Sequence, residues 1–294
     1  MSWLQIRFEV SKGDADLLSE ALESVGALAV TLQSAGSDNL FDQVDESPTL
    51  WETTALTALF PADTDPTTVT EWLAARLAPT KVPAWTAEVL VDQDWNRAWM
   101  DRFHPLRVGK RLWVCPSWHT PPELQAVNVI LDPGMAFGTG THPTTAMCLR
   151  WLDAADLQGK TVLDYGCGSG ILAIAAVKLG ARHAHAVDID PQCLEVTREN
   201  AARNGVLDRL AISLARDWPS QQVDVLVANI LAGPLIALAP RFAEYVRPGG
   251  ALGLSGLLAP QAQECLAAYA AFFELQPPVV HDEWVMLSGI RKNR

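Results

Sequence analysis

The 294-residue chain predicts an α/β protein, a doubly wound sheet domain preceded by a small ferredoxin-like α+β domain. Three observations carry that expectation. From residue 158 onward, strand-like and helix-like stretches alternate strictly, the pattern of parallel βαβ units covered on both faces. A strand ending at Asp164 runs into Gly166, Gly168 and Gly170 and then an apolar helix, and a second acidic strand end, Asp188, follows about 20 residues later. Ahead of these, residues 1–91 read β-α-β-β-α-β, the order of a split βαβ sandwich.

In residues 3–10, Trp3, Gln5, Arg7 and Glu9 alternate with Leu4, Ile6, Phe8 and Val10, the signature of a half-buried strand. Residues 14–25 place Leu17, Leu18, Ala21, Leu22 and Val25 at helical spacing. Residues 28–33 read as a second strand, 34–48 as an acidic loop and 51–60 as a third strand. Residues 66–77 form an amphipathic helix capped by Asp65, and 84–91 a fourth strand. A linking helix is expected over 92–107, where Trp95, Trp99 and Phe103 share one stripe suited to packing. The remaining domain, 108–294, opens with a strand at 111–115 and a Pro-containing loop at 116–122. Its later strands are expected at 161–165, 183–188, 210–214, 223–228 and 251–255. Helices are expected at 171–179, 191–204, 234–245 and 260–269, and residues 272–277 and 283–291 close the fold as a hairpin.

Composition narrows the function classes. Hydrophobic residues make up 49% of the chain, enough for an ordinary globular core, and no apolar run approaches the ~20 residues of a membrane span. The first residues, with early charges on an alternating strand, do not read as a signal peptide. Cys115, Cys148, Cys167, Cys193 and Cys265 are scattered and form no CxxC pair, which argues against a disulfide framework or structural zinc and fits a reducing cytoplasm. The net charge of −12 is carried entirely by residues 1–101, with 17 Asp and Glu against 5 Lys and Arg. Such a surface disfavours direct DNA or RNA docking and favours a basic partner.

The chemistry concentrates at strand ends. Glycines at a strand-to-helix turn admit close backbone approach to a ligand. The third glycine of a dehydrogenase fingerprint would fall at Ile171, so that reading fails. The glycine pattern followed by AVDID instead resembles motifs I and II of the S-adenosylmethionine-dependent methyltransferases. In that reading Gly166 and Gly168 cradle the methionine portion, Asp164 reaches its cationic amine, and Asp188 accepts the ribose hydroxyls; Asp164 can equally serve as a helix cap. Cys167 reads as a small filler rather than a nucleophile. The fourth strand of the sheet ends in Asn229-Ile230-Leu231-Ala232, where many amino-group methyltransferases carry [N/D]PP[Y/F]. The absent aromatic removes a stacking platform for a base or planar amide, whereas an aliphatic amine needs none. A lysine, with a pKa near 10.4, is neutral about once in a thousand molecules at physiological pH. Asn229 and the Ile230 carbonyl orient an amine without favouring its charged form as a carboxylate would.

One further segment, LDPGMAFGTGTHPTT at 131–145, combines Gly134, Gly138 and Gly140 with Phe137, His142 and a helix start. Its glycines predict a loop able to close over a ligand. Thr145 at the helix N-terminus suits a carboxylate, Phe137 suits packing near a sulfonium or amine, and His142 is either a base or an orienting residue.

In order and spacing, LDPGMAFGTGTHPTT, VLDYGCGSGILAIAA, VDIDP with ENAARNGV, VANILAGPL and the linker DQDWNRAWMDRFHP are similar to the PrmA family, which methylates ribosomal protein L11. The match covers nearly the whole chain. It implies a seven-stranded, Rossmann-like methyltransferase domain joined by a linker to a substrate-recognition domain. The implied reaction is repeated methylation of lysine ε-amines and an N-terminal α-amine, with S-adenosylmethionine as donor and no metal. The implied cofactor positions are Thr145, Gly166, Asp188 and Asn229, and the acidic N-terminal third would hold the basic ribosomal protein. The rival readings are the same fold acting on a glutamine amide or small-molecule amine, and a non-catalytic cofactor-binding assembly factor.

Overall fold

The computed structural model describes residues 2–34, 53–78, 81–90, 103–132, 140, 142–219 and 221–293. The chain divides into two compact units, Met1–Met100 and Asp101–Arg294.

The first unit runs β1 (Trp3–Ser11), α1 (Lys12–Ser24), β2 (Ala29–Ser34), β3 (Thr53–Pro61), α2 (Pro66–Leu77) and β4 (Trp85–Leu90). Its sheet has the order β2-β3-β1-β4 and every pair is antiparallel. The alternation in β1 buries Leu4, Ile6, Phe8 and Val10, which join Leu18, Leu22, Leu56 and Leu73 in one core. Asp65 caps α2, its carboxylate accepting from the Thr67 N–H at 2.9 Å. Of the acidic loop expected at 34–48, residues 35–48 lie outside the described residues, as do residues 92–102 of the linking segment, including Trp95 and Trp99. The expected linking helix does not extend to residue 107. Residues 103–105 are irregular, and Leu106 and Arg107 pair with Val114 and Trp113 as a short strand.

The second unit begins with a small sheet of β5 (Leu106–Arg107), β6 (Leu112–Cys115) and β7 (Val127–Ile130). Next come α3 (Pro143–Ala154), β8 (Thr161–Tyr165), α4 (Ile171–Lys178), β9 (His183–Asp188), α5 (Pro191–Arg203), β10 (Leu210–Leu214) and β11 (Val223–Asn229). The chain continues through α6 (Ala232–Tyr245), β12 (Val246–Leu258), α7 (Ala262–Ala270), β13 (Phe273–Leu275), β14 (Val279–His281) and β15 (Trp284–Arg291). The main sheet has the order β10-β9-β8-β11-β12-β15-β13, and β14 pairs with β15 as an eighth strand. The pairs from β10 to β12 are parallel and those made by β15 are antiparallel.

Apolar side chains cover both faces. Met147 and Leu149 of α3, Ile174 and Val177 of α4 and Leu194 of α5 share one core. Leu235 and Phe242 of α6 and Tyr269 of α7 share the other. The strand order reverses between β8 and β11, the position at which ligands bind outside the carboxyl ends of an open α/β sheet.

Candidate cofactor and transfer site

The turn after β8 uses the conformations that its glycines allow. Gly166, Gly168 and Gly170 have φ of 80°, 51° and 78°, values that side chains rarely tolerate. The Gly166 and Cys167 N–H groups donate to the Val187 carbonyl at 2.8 and 3.0 Å, so the turn is fastened to the end of β9. A Cβ at position 166 would stand 2.3 Å from Ile230 Cγ2. The glycine turn and the end of β11 therefore touch across the reversal of strand order.

Asp188, at the end of β9, accepts from the Gly168 N–H at 2.9 Å and from the Asp190 N–H at 3.0 Å. Both carboxylate oxygens are thus aimed by the backbone, and each keeps lone-pair capacity for a further donor. Asp164 is fully buried. Its Oδ2 accepts from the Ala173 N–H at 3.0 Å, capping the first turn of α4, while its Oδ1 has no partner. Burial pushes this carboxyl up to about 7, against the Ala173 hydrogen bond and with the charge of Asp188 adding to the rise. The helix-cap reading of Asp164 is met by one oxygen, and the other is left without a partner.

Asn229 ends β11, and its Nδ2 donates to Thr145 Oγ1 at 3.1 Å across 84 positions of sequence. Its Oδ1 is buried and unpartnered. Thr145 lies in the first turn of α3 and is itself buried. His142 is the N-cap of that helix, with Nδ1 2.7 Å from Thr144 Oγ1 and its ring edge-on to Trp284 at 4.9 Å. Burial lowers the His142 pKa and the charge of Glu283 opposes the shift. Phe137 lies outside the described residues. Cys167 is buried and its thiol is pushed far up by burial, as a filler's would be.

The sequence reading missed Gly256. It has φ of 91°, and a Cβ there would stand 2.3 Å from the Ile230 carbonyl oxygen. The pairing of β12 with β15 shifts register between Leu254 and Leu257, and the Ile230 N–H donates to the Ser255 carbonyl at 3.2 Å. At this bulge β12 accepts the Ile230 N–H and passes close to the Ile230 carbonyl. The available signal was a glycine inside a strand, which marks a bulge or a close backbone approach.

Asp164, Gly166, Gly168, Asp188, Thr145, Asn229 and Ile230 thus form one linked set at the carboxyl ends of β8, β9 and β11. Its two orphaned buried oxygens are acceptors, and a buried acceptor left without a donor costs about 1–3 kcal/mol. A ligand rich in N–H and O–H donors would satisfy them. Among the described residues, no cluster of three or more His, Cys, Asp or Glu side chains suits a metal ion.

A family profile described as ribosomal protein L11 methyltransferase (PrmA) matches residues 2–292. A relative named ribosomal protein L11 methyltransferase from Pseudomonas putida (strain W619) is 55% identical over 293 residues, covering 99% of this chain and 100% of that protein. A protein of the same name from Pseudomonas aeruginosa (strain LESB58) is 53% identical, with 99% of each chain covered. The crystal structure of a ribosomal protein L11 methylase from Lactobacillus delbrueckii subsp. bulgaricus matches with a TM-score of 0.60 and 34% identity, covering 65% of this chain and all of that one. On a profile spanning nearly its full length and on relatives that share more than half its residues, the chain belongs to the ribosomal protein L11 methyltransferase (PrmA) family.

Proposed function

We propose that this chain uses S-adenosylmethionine to methylate lysine ε-amines and the N-terminal α-amine of ribosomal protein L11 in the cytoplasm. The observation that carries this reading is the pairing of Asn229 with Thr145, which leaves Asn229 Oδ1 buried and without a donor beside the Ile230 peptide. The residues fit the cofactor. The orphaned Asp164 Oδ1 suits its ammonium, Asp188 its ribose hydroxyls, the Gly166 and Gly168 backbone its methionine portion, and Thr145 its carboxylate. When bound, S-adenosylmethionine supplies an electrophilic methyl group on a sulfonium.

The chain's own residues do the rest. Asn229 Oδ1 accepts an N–H from the incoming amine and fixes the direction of its lone pair. An amide oxygen does this without the bias toward ammonium that a carboxylate would impose. The Ile230 carbonyl is a second acceptor, left uncrowded because residue 256 has no Cβ. Positioning and exclusion of water carry most of the rate. The unit at 1–91 has the strand and helix order of a ferredoxin-like domain, and its acidic surface holds the basic substrate.

Peptide mapping by mass spectrometry tests the acceptor. Purified ribosomal protein L11, incubated with enzyme and S-adenosylmethionine, should gain methyl groups on lysines and the N-terminus. Methylation confined to glutamine amides, or absent with cofactor binding intact, would contradict the proposal.

A further inference from the structure

We propose that Thr197 and Asn200 of α5 are positioning residues for cofactor binding: they hold the glycine turn by its carbonyls, whereas the end of β9 holds it by its N–H groups. This rests on reading that turn as the S-adenosylmethionine site.

Thr197 is fully buried and donates from Oγ1 to the Gly168 carbonyl at 3.0 Å. The Cys167 Sγ lies 3.4 Å from the same hydroxyl. Asn200 is also buried and donates from Nδ2 to the Ser169 carbonyl at 2.9 Å. The two side chains are three residues apart on one helix and so face the turn together. Thr197 packs directly on that turn, since a Cβ at Gly170 would stand 2.7 Å from its Cγ2.

The left-handed backbone at three glycines within five residues is expensive in entropy and persists only where its surroundings over-determine it. Val187 and Asp188 hold the turn by its N–H groups, and Thr197 and Asn200 hold it by its carbonyls. The Gly168 peptide joins the two holds. Its carbonyl takes the Thr197 hydroxyl and its N–H goes to Asp188 Oδ2. Loosening Thr197 therefore loosens the residue that aims the Asp188 carboxylate.

The same helix supplies its own control. One turn on, Asn204 accepts from the Ile130 N–H at 2.8 Å and donates to the Ile130 carbonyl at 2.7 Å. That clamp has the same chemistry but grips β7 rather than the turn.

The experiment measures S-adenosylmethionine affinity by calorimetry and thermal midpoints for the full chain and for Thr197→Val, Thr197→Ser, Asn200→Ala and Asn204→Ala. Thr197→Val should weaken cofactor binding about tenfold, the equivalent of one lost hydrogen bond, and Thr197→Ser should return it to within about twofold. Asn204→Ala should lower the midpoint and leave cofactor affinity unchanged. If Thr197→Val fails to fold, the expectation passes to Asn200→Ala unaltered. Wild-type cofactor affinity in the folded Thr197→Val and Asn200→Ala variants would overturn the inference. So would an equal loss in Asn204→Ala, which would reduce the effect to general destabilisation. A wild-type chain that binds no cofactor would contradict the cofactor reading itself.

Discussion

Asp164 and Asp224 sit at opposite ends of two neighbouring strands, β8 and β11, and the sheet treats them in opposite ways. Asp224, at the start of β11, accepts from the Thr161 N–H at 2.7 Å with one oxygen and pairs with Arg247 through the other. Burial alone would raise its carboxyl, but the Thr161 and Arg247 hydrogen bonds bring it below the usual carboxylate range. Asp164, near the end of β8, has one oxygen engaged and one orphaned, and is pushed up to about 7. A strand end whose acceptors are all used is architecture. One that is left short of donors, under a turn built from left-handed glycines, is where we propose that the cofactor binds.

The largest expected effect breaks the ligand end at its backbone. Gly256→Ala places a Cβ against the Ile230 carbonyl at a φ of 91°. We expect a loss of about 3 kcal/mol in urea unfolding, together with loss of methyl transfer. A variant as stable and active as the wild type would mean that the Ile230 peptide is not held there. Next, Asp188→Ala removes two backbone-aimed acceptors, and cofactor affinity measured by calorimetry should fall about a hundredfold.

Asp164→Asn sharpens the comparison through pH. Because the folded pKa is raised from 3.8 to about 7, the folded state holds a proton that the unfolded chain has released between those values. The resulting stability is complete below the unfolded pKa and is lost as pH rises through the folded one. The stability of the wild type relative to Asp164→Asn should therefore decline as pH rises from about 4 to about 7 in thermal melts; parallel profiles would show that this carboxyl is not poised. The smallest effect belongs to the satisfied end. Asp224→Asn keeps an acceptor for Thr161 and weakens the pair with Arg247, which should cost about 1 kcal/mol of stability and leave the methylation rate unchanged.

The backbone geometry at the carboxyl ends of β8 and β9 was largely legible in the sequence because its signals are local. Three glycines between a strand and a helix, and an acidic strand end about 20 residues on, specify their geometry within a short stretch. The alternation in β1 was legible for the same reason. What stayed hidden depends on distance or on brevity. The Asn229–Thr145 hydrogen bond spans 84 positions, and Gly256 is required by a peptide that arrives from another strand. Strands β7 and β14 have four and three residues, too few for a period of two to stand out. Leu106 and Arg107 read as the end of an amphipathic helix and are drawn instead into a pairing with β6 that no local propensity encodes.

The most direct test of the account is intact-mass spectrometry of purified ribosomal protein L11 after incubation with S-adenosylmethionine and the wild-type, Asn229→Ala or Asp224→Asn chain. Mass steps of one or more methyl groups with the wild type and Asp224→Asn, lost or strongly reduced with Asn229→Ala, are the expected result. Equal methylation by Asn229→Ala, or no mass change with a wild-type chain that binds cofactor, would contradict the claim that the carboxyl end of this sheet transfers methyl groups to that protein.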